Sequence, residues 1–287
     1  MRACDVVVAH GSSTLPATVV AGAGLDRPIV YRSIGDTRAW TGSWRRRARV
    51  GFLLRRTATV VALWDEAASA LCARYALPVG RVRAIPNAVA ADRFRPPTEA
   101  ERTEARKRFG LAGCEQVVVY VGALSAEKHP ALAVRSVAAL PSTVGLVIAG
   151  EGPERGELAQ LAADLAPDRT VLAGPIDDVT AAYWAGDVLI LPSRTEGMPA
   201  APIEAGLCGV ATVATRVGAV GEIVLDGRTG GLFSPGDADA AATRLGDVLQ
   251  APQAYGRVAR QYCRAHFDLD AVAHAWSNLL REIAHAR

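Results

Sequence analysis

The stretch LPSRTEGMPAAPIEAGLCGVATVATRV, residues 191–217, decides the fold. It opens at the end of an apolar run, Val188-Leu-Ile-Leu191, closed by Pro192, which reads as a buried strand. A polar turn, Ser193 to Glu196, leads to Gly197. Pro199 suits the first turn of a helix, where its missing N–H costs nothing. That helix is expected to run to about Cys208 and to stop at Gly209. A β-branched run, Val210 to Val217, follows. Strand, turn, helix and strand make a βαβ unit, and its turn sits at the carboxyl end of a strand, where open parallel sheets bind ligands.

The chemistry of this unit rests on Glu196, in the turn, and Glu204, inside the helix near its start. The free N–H groups of a first helical turn and the helix dipole favour an anion. A carboxylate set slightly down the helix is no phosphate ligand, but it can accept hydrogen bonds from hydroxyls such as those of a ribose. One such unit can therefore hold a sugar phosphate by phosphate and hydroxyls together. Without further context the same residues also read as a capped helix with two solvated acids.

Composition narrows the class. The chain has 287 residues, 50% of them hydrophobic, enough for one large core or two moderate ones. The net charge of +3 is too weak to argue for nucleic acid, and no apolar run reaches membrane-spanning length. The five cysteines are scattered without a C-x-x-C pair, which reads as reduced thiols of a cytoplasmic protein and neither a disulfide frame nor a metal site. Two D-x-D spacings, Asp237 with Asp239 and Asp268 with Asp270, fall at expected helix starts, where capping is the simpler role.

Residues 1–89 alternate strand and helix: strands at 6–9, 29–31, 59–63 and 82–85, and helices at about 12–23, 43–56 and 66–75. This alternation argues for a parallel sheet covered by helices. Ser12 or Ser13 is the expected cap of the first helix. The segment TGSWRRRARVGFLLRRT holds Arg45, Arg46, Arg47, Arg49, Arg55 and Arg56 around apolar residues. It reads as a surface helix with one side in the core, or as a basic amphipathic helix on anionic lipid. Residues 90–98, with Pro96-Pro97, read as a linker. Beyond it come a helix at 99–109, strands at 117–121, 144–149 and 170–173, helices at 154–165 and 179–185, the opening stretch, and three closing helices at 237–250, 252–266 and 269–285.

PSRTEGMPAAPIEAGLCG resembles the donor-binding segment of the retaining glycosyltransferases of family 4, which have the GT-B fold. Their pattern is Pro-Ser, a short loop, E-G-x-P, then E-x7-E closing on E-A-x-x-x-G, and Glu196 and Glu204 match its two glutamates. Pro202 departs from it, since an aliphatic residue is usual there. GALSAEKHP is similar to the family's G-R-L-x-x-E-K-G, with Lys128 on the diphosphate lysine, Ala123 in place of the arginine and His129 in place of the last glycine. The turn Gly150-Glu-Gly-Pro153, the loop Gly174-Pro-Ile176, the run GAVGEIVLDGRTGGLF and IPNAVAADRFRP resemble further family segments. DVVVAHG resembles a mid-domain strand whose histidine faces the donor sugar, a position His10 matches. A family member carries about three βα units before that strand, on the order of 90 residues at ~30 per unit.

The resemblance implies an α/β protein with a GT-B-like architecture: an incomplete N-terminal Rossmann-like domain at 1–96, a complete nucleotide-sugar-binding domain at 97–265, and a C-terminal helix, 266–287, packing back through Trp276 and Leu280. It implies transfer of a sugar from a nucleotide diphosphate sugar with retention, and no metal. Lys128 and the amides of Met198 to Ala201 would neutralise the diphosphate, Glu204 would hold ribose, and Glu196 and His10 would face the donor sugar. Gly122, Gly150, Ile176, Gly197, Met198, Pro199 and Ala200 would complete the donor site. The acceptor is expected to be lipid-linked or a small glycoside, with peripheral contact at the inner face of the membrane through residues 45–56. The rival reading is a non-catalytic nucleotide-sugar-binding chain, or a subunit completed by a partner. Ala123 and the short first domain favour it.

Overall fold

The computed structural model describes residues 4–24, 27–34 and 43–285. It divides into two compact units, residues 1–87 with 269–287, and residues 88–268. In the first unit β1 (Val7–His10), α1 (Thr14–Gly22), β2 (Ile29–Arg32), α2 (Trp44–Arg55), β3 (Thr59–Ala62), α3 (Asp65–Tyr75) and β4 (Val82–Ala84) alternate. Their strands form one parallel sheet in the order β1-β2-β3-β4. β3 is buried along its whole length, as its β-branched run requires. Ser43 caps α2 by accepting from Arg46 N. The cap expected at the start of α1 is absent: Ser13 makes no side-chain capping bond, and Thr14 Oγ1 instead donates back to the carbonyls of His10 and Gly11 at 2.9 Å each. After β2 the chain is described as far as Ile34, and residues 35–42 lie outside the described residues.

The second unit holds α4 (Glu99–Arg108), β5 (Gln116–Val121), α5 (Pro130–Ala138), β6 (Val144–Ala149), α6 (Arg155–Leu165), β7 (Thr170–Gly174), α7 (Thr180–Ala185), β8 (Val188–Leu191), α8 (Ala201–Leu207), β9 (Ala211–Thr215), α9 (Val220–Ile223), β10 (Gly230–Phe233), α10 (Ala238–Leu249) and α11 (Pro252–Phe267). Its six parallel strands run β10-β9-β8-β5-β6-β7. The chain builds outward from β5 through β6 to β7, then returns to β8 on the other side of β5. Val118, Leu146, Ile148, Val188, Ile190 and Val213 carry one face of this sheet into a core closed by α5 and α10. Asp187, almost fully buried, accepts from Val117 N at 2.7 Å and from Arg106 at 2.6 Å, and also pairs with Arg102, which docks α4 against the sheet.

The last helix, α12 (Leu269–His285), belongs with the first unit. Val272, Leu279 and Ile283 are its buried residues, so the expected anchor Leu280 is displaced by its neighbour. Trp276 is half-buried and lies under the Arg32 guanidinium at 5.4 Å. The second unit begins at Ala88, nine residues before the expected boundary, because residues 88–96 bond into it. Val89 N donates to Phe267 O at 2.9 Å and Trp184 Nε1 donates to Arg95 O at 2.9 Å. Of the two D-x-D pairs, Asp237 caps α10 through Ala240 N, whereas Asp268 does not cap α12 and accepts from Ala91 N.

Candidate functional site

The reversal of strand order in the second unit falls between β5 and β8, and the carboxyl ends of strands at such a reversal are where open parallel sheets bind ligands. The loops that follow these two strands, residues 122–129 and 192–200, are tied together. Arg194 N donates to Glu127 O at 2.8 Å, Arg194 Nε to Ala126 O at 3.1 Å, and Thr195 Oγ1 to Glu127 Oε1 at 3.1 Å. Lys128 Nζ donates to both carboxylate oxygens of Glu196, at 2.8 and 2.9 Å. Glu196 is 8% exposed, so the lysine neutralises a charge that could not stand alone in that position. Motif residues 68 positions apart thus meet in one ion pair.

Glycine is required where backbones approach. A Cβ on Gly150, at φ +152°, would lie 1.8 Å from Gly122 O. A Cβ on Gly218, at φ +53°, would lie 2.0 Å from Glu196 O. The 193–197 loop is thereby pinned from below, and Ala219 N donates to Gly197 O at 2.8 Å.

α8 starts at Ala201, with Ala200 at its N-cap, so Pro199 stands outside the helix and Pro202 occupies its first turn. The departure at Pro202 is therefore tolerated, since no helical hydrogen bond is lost there. It also corrects the expected placement of Pro199. Among the described residues, the amides of Gly197, Ala200, Ala201 and Ile203 have no protein acceptor. Met198 is buried beside them.

Glu204 projects from α8 and accepts from Tyr183 Oη at 2.7 Å. Burial pushes its carboxyl above the ordinary value, against the opposing pull of the Tyr183 hydrogen bond and of Arg93. Burial, reinforced by Glu204, also raises the Tyr183 hydroxyl well above its usual value, which keeps it a donor. Tyr183 was not legible from sequence, because it comes from α7 and nothing in its spacing points at Glu204. His129 adopts φ +50°, the left-handed conformation for which a glycine is usual. Burial, with Arg194 and Arg135 nearby, lowers its imidazole, so it adds no second cation at neutral pH. Ala123 is exposed. Ile176 lies further along the strand ends, in a shallow cavity with Arg108, Phe109 and Asp177. His10 ends β1 in the first unit, exposed.

Residues 115–251 match the family described as Glycosyl transferases group 1. The chain is 34% identical, over 61% of its length and 49% of the relative's, to a GDP-mannose-dependent alpha-(1-6)-phosphatidylinositol monomannoside mannosyltransferase of Mycolicibacterium smegmatis. It is 35% identical, over 77% of its length and 50% of the relative's, to a D-inositol 3-phosphate glycosyltransferase of Acidothermus cellulolyticus. The chain spans about half the length of these curated relatives. Among solved structures, Anabaena Alr3699/HepE in complex with UDP superposes with a TM-score of 0.89 at 21% identity, covering 97% of this chain and 79% of that one. The two parallel sheets are those of the GT-B glycosyltransferases. Through residues 115–251 of its second unit the chain is similar to the glycosyl transferases group 1 family.

Proposed function

We propose that the chain transfers a glycosyl group from a nucleotide diphosphate sugar to an acceptor, with retention at the anomeric carbon and without a metal. The observation that carries this is the Lys128–Glu196 pair, set at the topological reversal of the sheet beside the amides of Gly197, Ala200, Ala201 and Ile203. A departing diphosphate needs positive groups that are already in place. Lys128 supplies one charge, and the amides of Gly197, Ala200, Ala201 and Ile203 supply dipoles. Lys128 keeps Glu196 paired while its charge faces the phosphates, and the remaining lone pairs of Glu196 accept from hydroxyls of the donor sugar. Glu204 has one carboxylate oxygen bonded to Tyr183, which leaves the other for ribose. His10 is assigned to the donor sugar by resemblance alone.

The solved neighbour with UDP and the GDP-mannose-dependent relative support a nucleotide donor. The relatives' names support an acceptor that is a phosphorylated or lipid-linked polyol. Among the described residues no helix is long and apolar enough to cross a membrane. α2 exposes Trp44 and Phe52 beneath Arg45 and Arg56, which suits a cytoplasmic protein resting on an anionic leaflet.

The test is release of UDP or GDP from sugar nucleotides in the presence of a chelator, with the product's anomeric configuration read by NMR. Lys128→Ala should lower turnover by ~10²–10³, the scale for one lost charge-stabilising group. Turnover that is unchanged in that variant, or a product of inverted configuration, refutes the mechanism. Ala123, exposed where the family places its second cation, favours the second reading of a binding chain without turnover. Tight nucleotide binding with no transfer to any acceptor would establish that reading.

A further inference from the structure

The sheet of the second unit ends at β7, and among the described residues no strand pairs with its outer edge. Open edges pair with other chains unless lysine, proline or an inward charge guards them. β7, Thr170-Val-Leu-Ala-Gly174, holds none of these, and Thr170 to Ala173 are half-buried. Arg169, just before it, is no guard, because its guanidinium donates to the carbonyls of Ala138, Leu140, Pro141 and Val144 at 2.9 to 3.3 Å. A groove runs along each face of the strand. One, of about 340 Å³, lies between α6 and the residues Thr170 and Leu172, where Ala159 and Ala163 leave it open. The other, of about 300 Å³, lies between the end of α4 and the residues Val171 and Ala173. An edge with a groove on both faces is suited to accept a further strand, whose alternate side chains fill the two sides.

The ladder fixes which residues offer their backbone. Leu146 N donates to Arg169 O, so Arg169 and Val171 turn their N–H and C=O toward β6. Thr170 and Leu172 alternate with them and turn theirs to the open edge. The register slips beyond Leu172, which confines the regular edge to these two residues. A second copy of this chain running antiparallel, with Val171 opposite Val171, brings Thr170 of each against Leu172 of the other. These residues then exchange N–H···O bonds in both directions. The same register sets the turn at Asp168 against Gly174 of the second copy. Asp168 is exposed and, among the described residues, makes no hydrogen bond or ion pair. Arg155 Nη1 lies 3.8 Å from where a Cβ on Gly174 would stand, and its carboxylate partner, Glu151 at 3.4 Å, is an exposed one. Arg155 and Asp168 both line the groove on the α6 side. The two-fold therefore matches an unpaired carboxylate to a guanidinium twice.

We propose that the chain forms a two-fold dimer through β7, which joins the sheets of two copies into one continuous sheet. The occupant of the edge is a second copy because this register is self-complementary both in backbone bonds and in charge. The paired surface is small, so the dimer exchanges with monomer as concentration changes. The proposal stands apart from the transferase reading, since it uses no residue assigned to the donor's phosphates, sugar or ribose.

Sedimentation equilibrium of the full chain across the micromolar range tests it, with the melting temperature of each variant read alongside. Asp168→Lys and Arg155→Glu each set like charges together and should weaken the dimer about tenfold or more. The two substitutions in one chain exchange the signs and should restore association to near that of the parent. Oxidation of Val171→Cys should trap a covalent dimer, because a non-hydrogen-bonded antiparallel pair brings the two side chains close. Ala173→Cys, two residues along the same face, stands opposite Arg169 of the second copy and should trap none above the parent's background. A parent that stays monomeric overturns the proposal. So does a dimer indifferent to the single charge reversals, a folded double variant that fails to recover association, or equal trapping in Val171→Cys and Ala173→Cys.

Discussion

Lys128 and Glu196 are unequally buried: 29% of the lysine side chain is exposed and only 6% of the glutamate's. Removing the lysine therefore strands a carboxylate, while removing both leaves nothing to desolvate. Lys128→Ala should destabilise the fold by about 1–3 kcal/mol, and adding Glu196→Gln should recover part of that, with a coupling of about 1–2 kcal/mol by denaturant melts. Strict additivity of the two changes would mean that the pair is not formed in solution. Glu204 gives a second prediction, with the opposite sign for stability. Its carboxyl is held above the ordinary value by burial, so its ionisation opposes folding, and that burden is relieved as pH falls through the raised value toward 4.5. Glu204→Gln should therefore keep or raise the melting temperature at pH 7. It should weaken UDP or GDP binding by about 1–3 kcal/mol if the carboxylate holds ribose. Nucleotide affinity of the parent should fall as pH drops through the same window, and that of Glu204→Gln should stay flat; parallel profiles in the two proteins would remove Glu204 from the site. The spacing of Glu196 and Glu204 was legible in the sequence because both belong to one turn and one helix. Their partners, Lys128 and Tyr183, were not legible as partners, since only the strand order brings those segments together.

Elements were legible in proportion to their pattern. The apolar runs of β5, β6 and β8 are buried on both faces and admit one reading. α5 was missed because it is short, largely apolar, and begins after His129 in a left-handed conformation with no capping side chain. β10 was missed because two of its four residues are glycines, which weaken a strand on propensity alone. Those glycines have a cause in the structure: a Cβ on Gly230 would lie 1.9 Å from Thr212 O on β9. The same reasoning yields a prediction for the loop after β9. Gly218 supports the Glu196 loop from beneath, in a conformation that alanine adopts only with strain, and alanine's Cβ would displace Glu196 O. Gly218→Ala should destabilise by about 2–4 kcal/mol and weaken nucleotide binding at least about tenfold. A variant with parental affinity would show that the loop is not held from this side.

At the scale of the whole molecule, the boundary between the units is where sequence and structure part most clearly. Pro96-Pro97 marks a change of local conformation, and composition alone places the linker around it. The packing lies elsewhere, because residues 88–96 are held by side chains whose partners are far along the chain. Phe94 is 5% exposed and meets the Tyr183 ring edge-on at 6.2 Å. Arg95 stacks over Trp184 at 4.9 Å and pairs with Glu101 at 2.6 Å, next to the Thr98 capping box of α4. Tyr183 is also the donor to Glu204, so this segment supports the Glu204 carboxylate at one remove. Residues 88–268 have a core and a complete sheet of their own, and the fragment should unfold in a single cooperative transition and bind UDP or GDP as the full chain does. The fragment 98–268 loses the Phe94 side chain from its seat and should be less stable by about 3–5 kcal/mol, the cost of emptying a buried aromatic site. Loosened Tyr183 should also weaken its nucleotide affinity more than the loss of stability alone requires. Differential scanning calorimetry and nucleotide titration of the two fragments decide this. Equal melting temperatures and equal affinities would return residues 88–97 to the status of a linker and cut the connection drawn between Phe94, Tyr183 and Glu204.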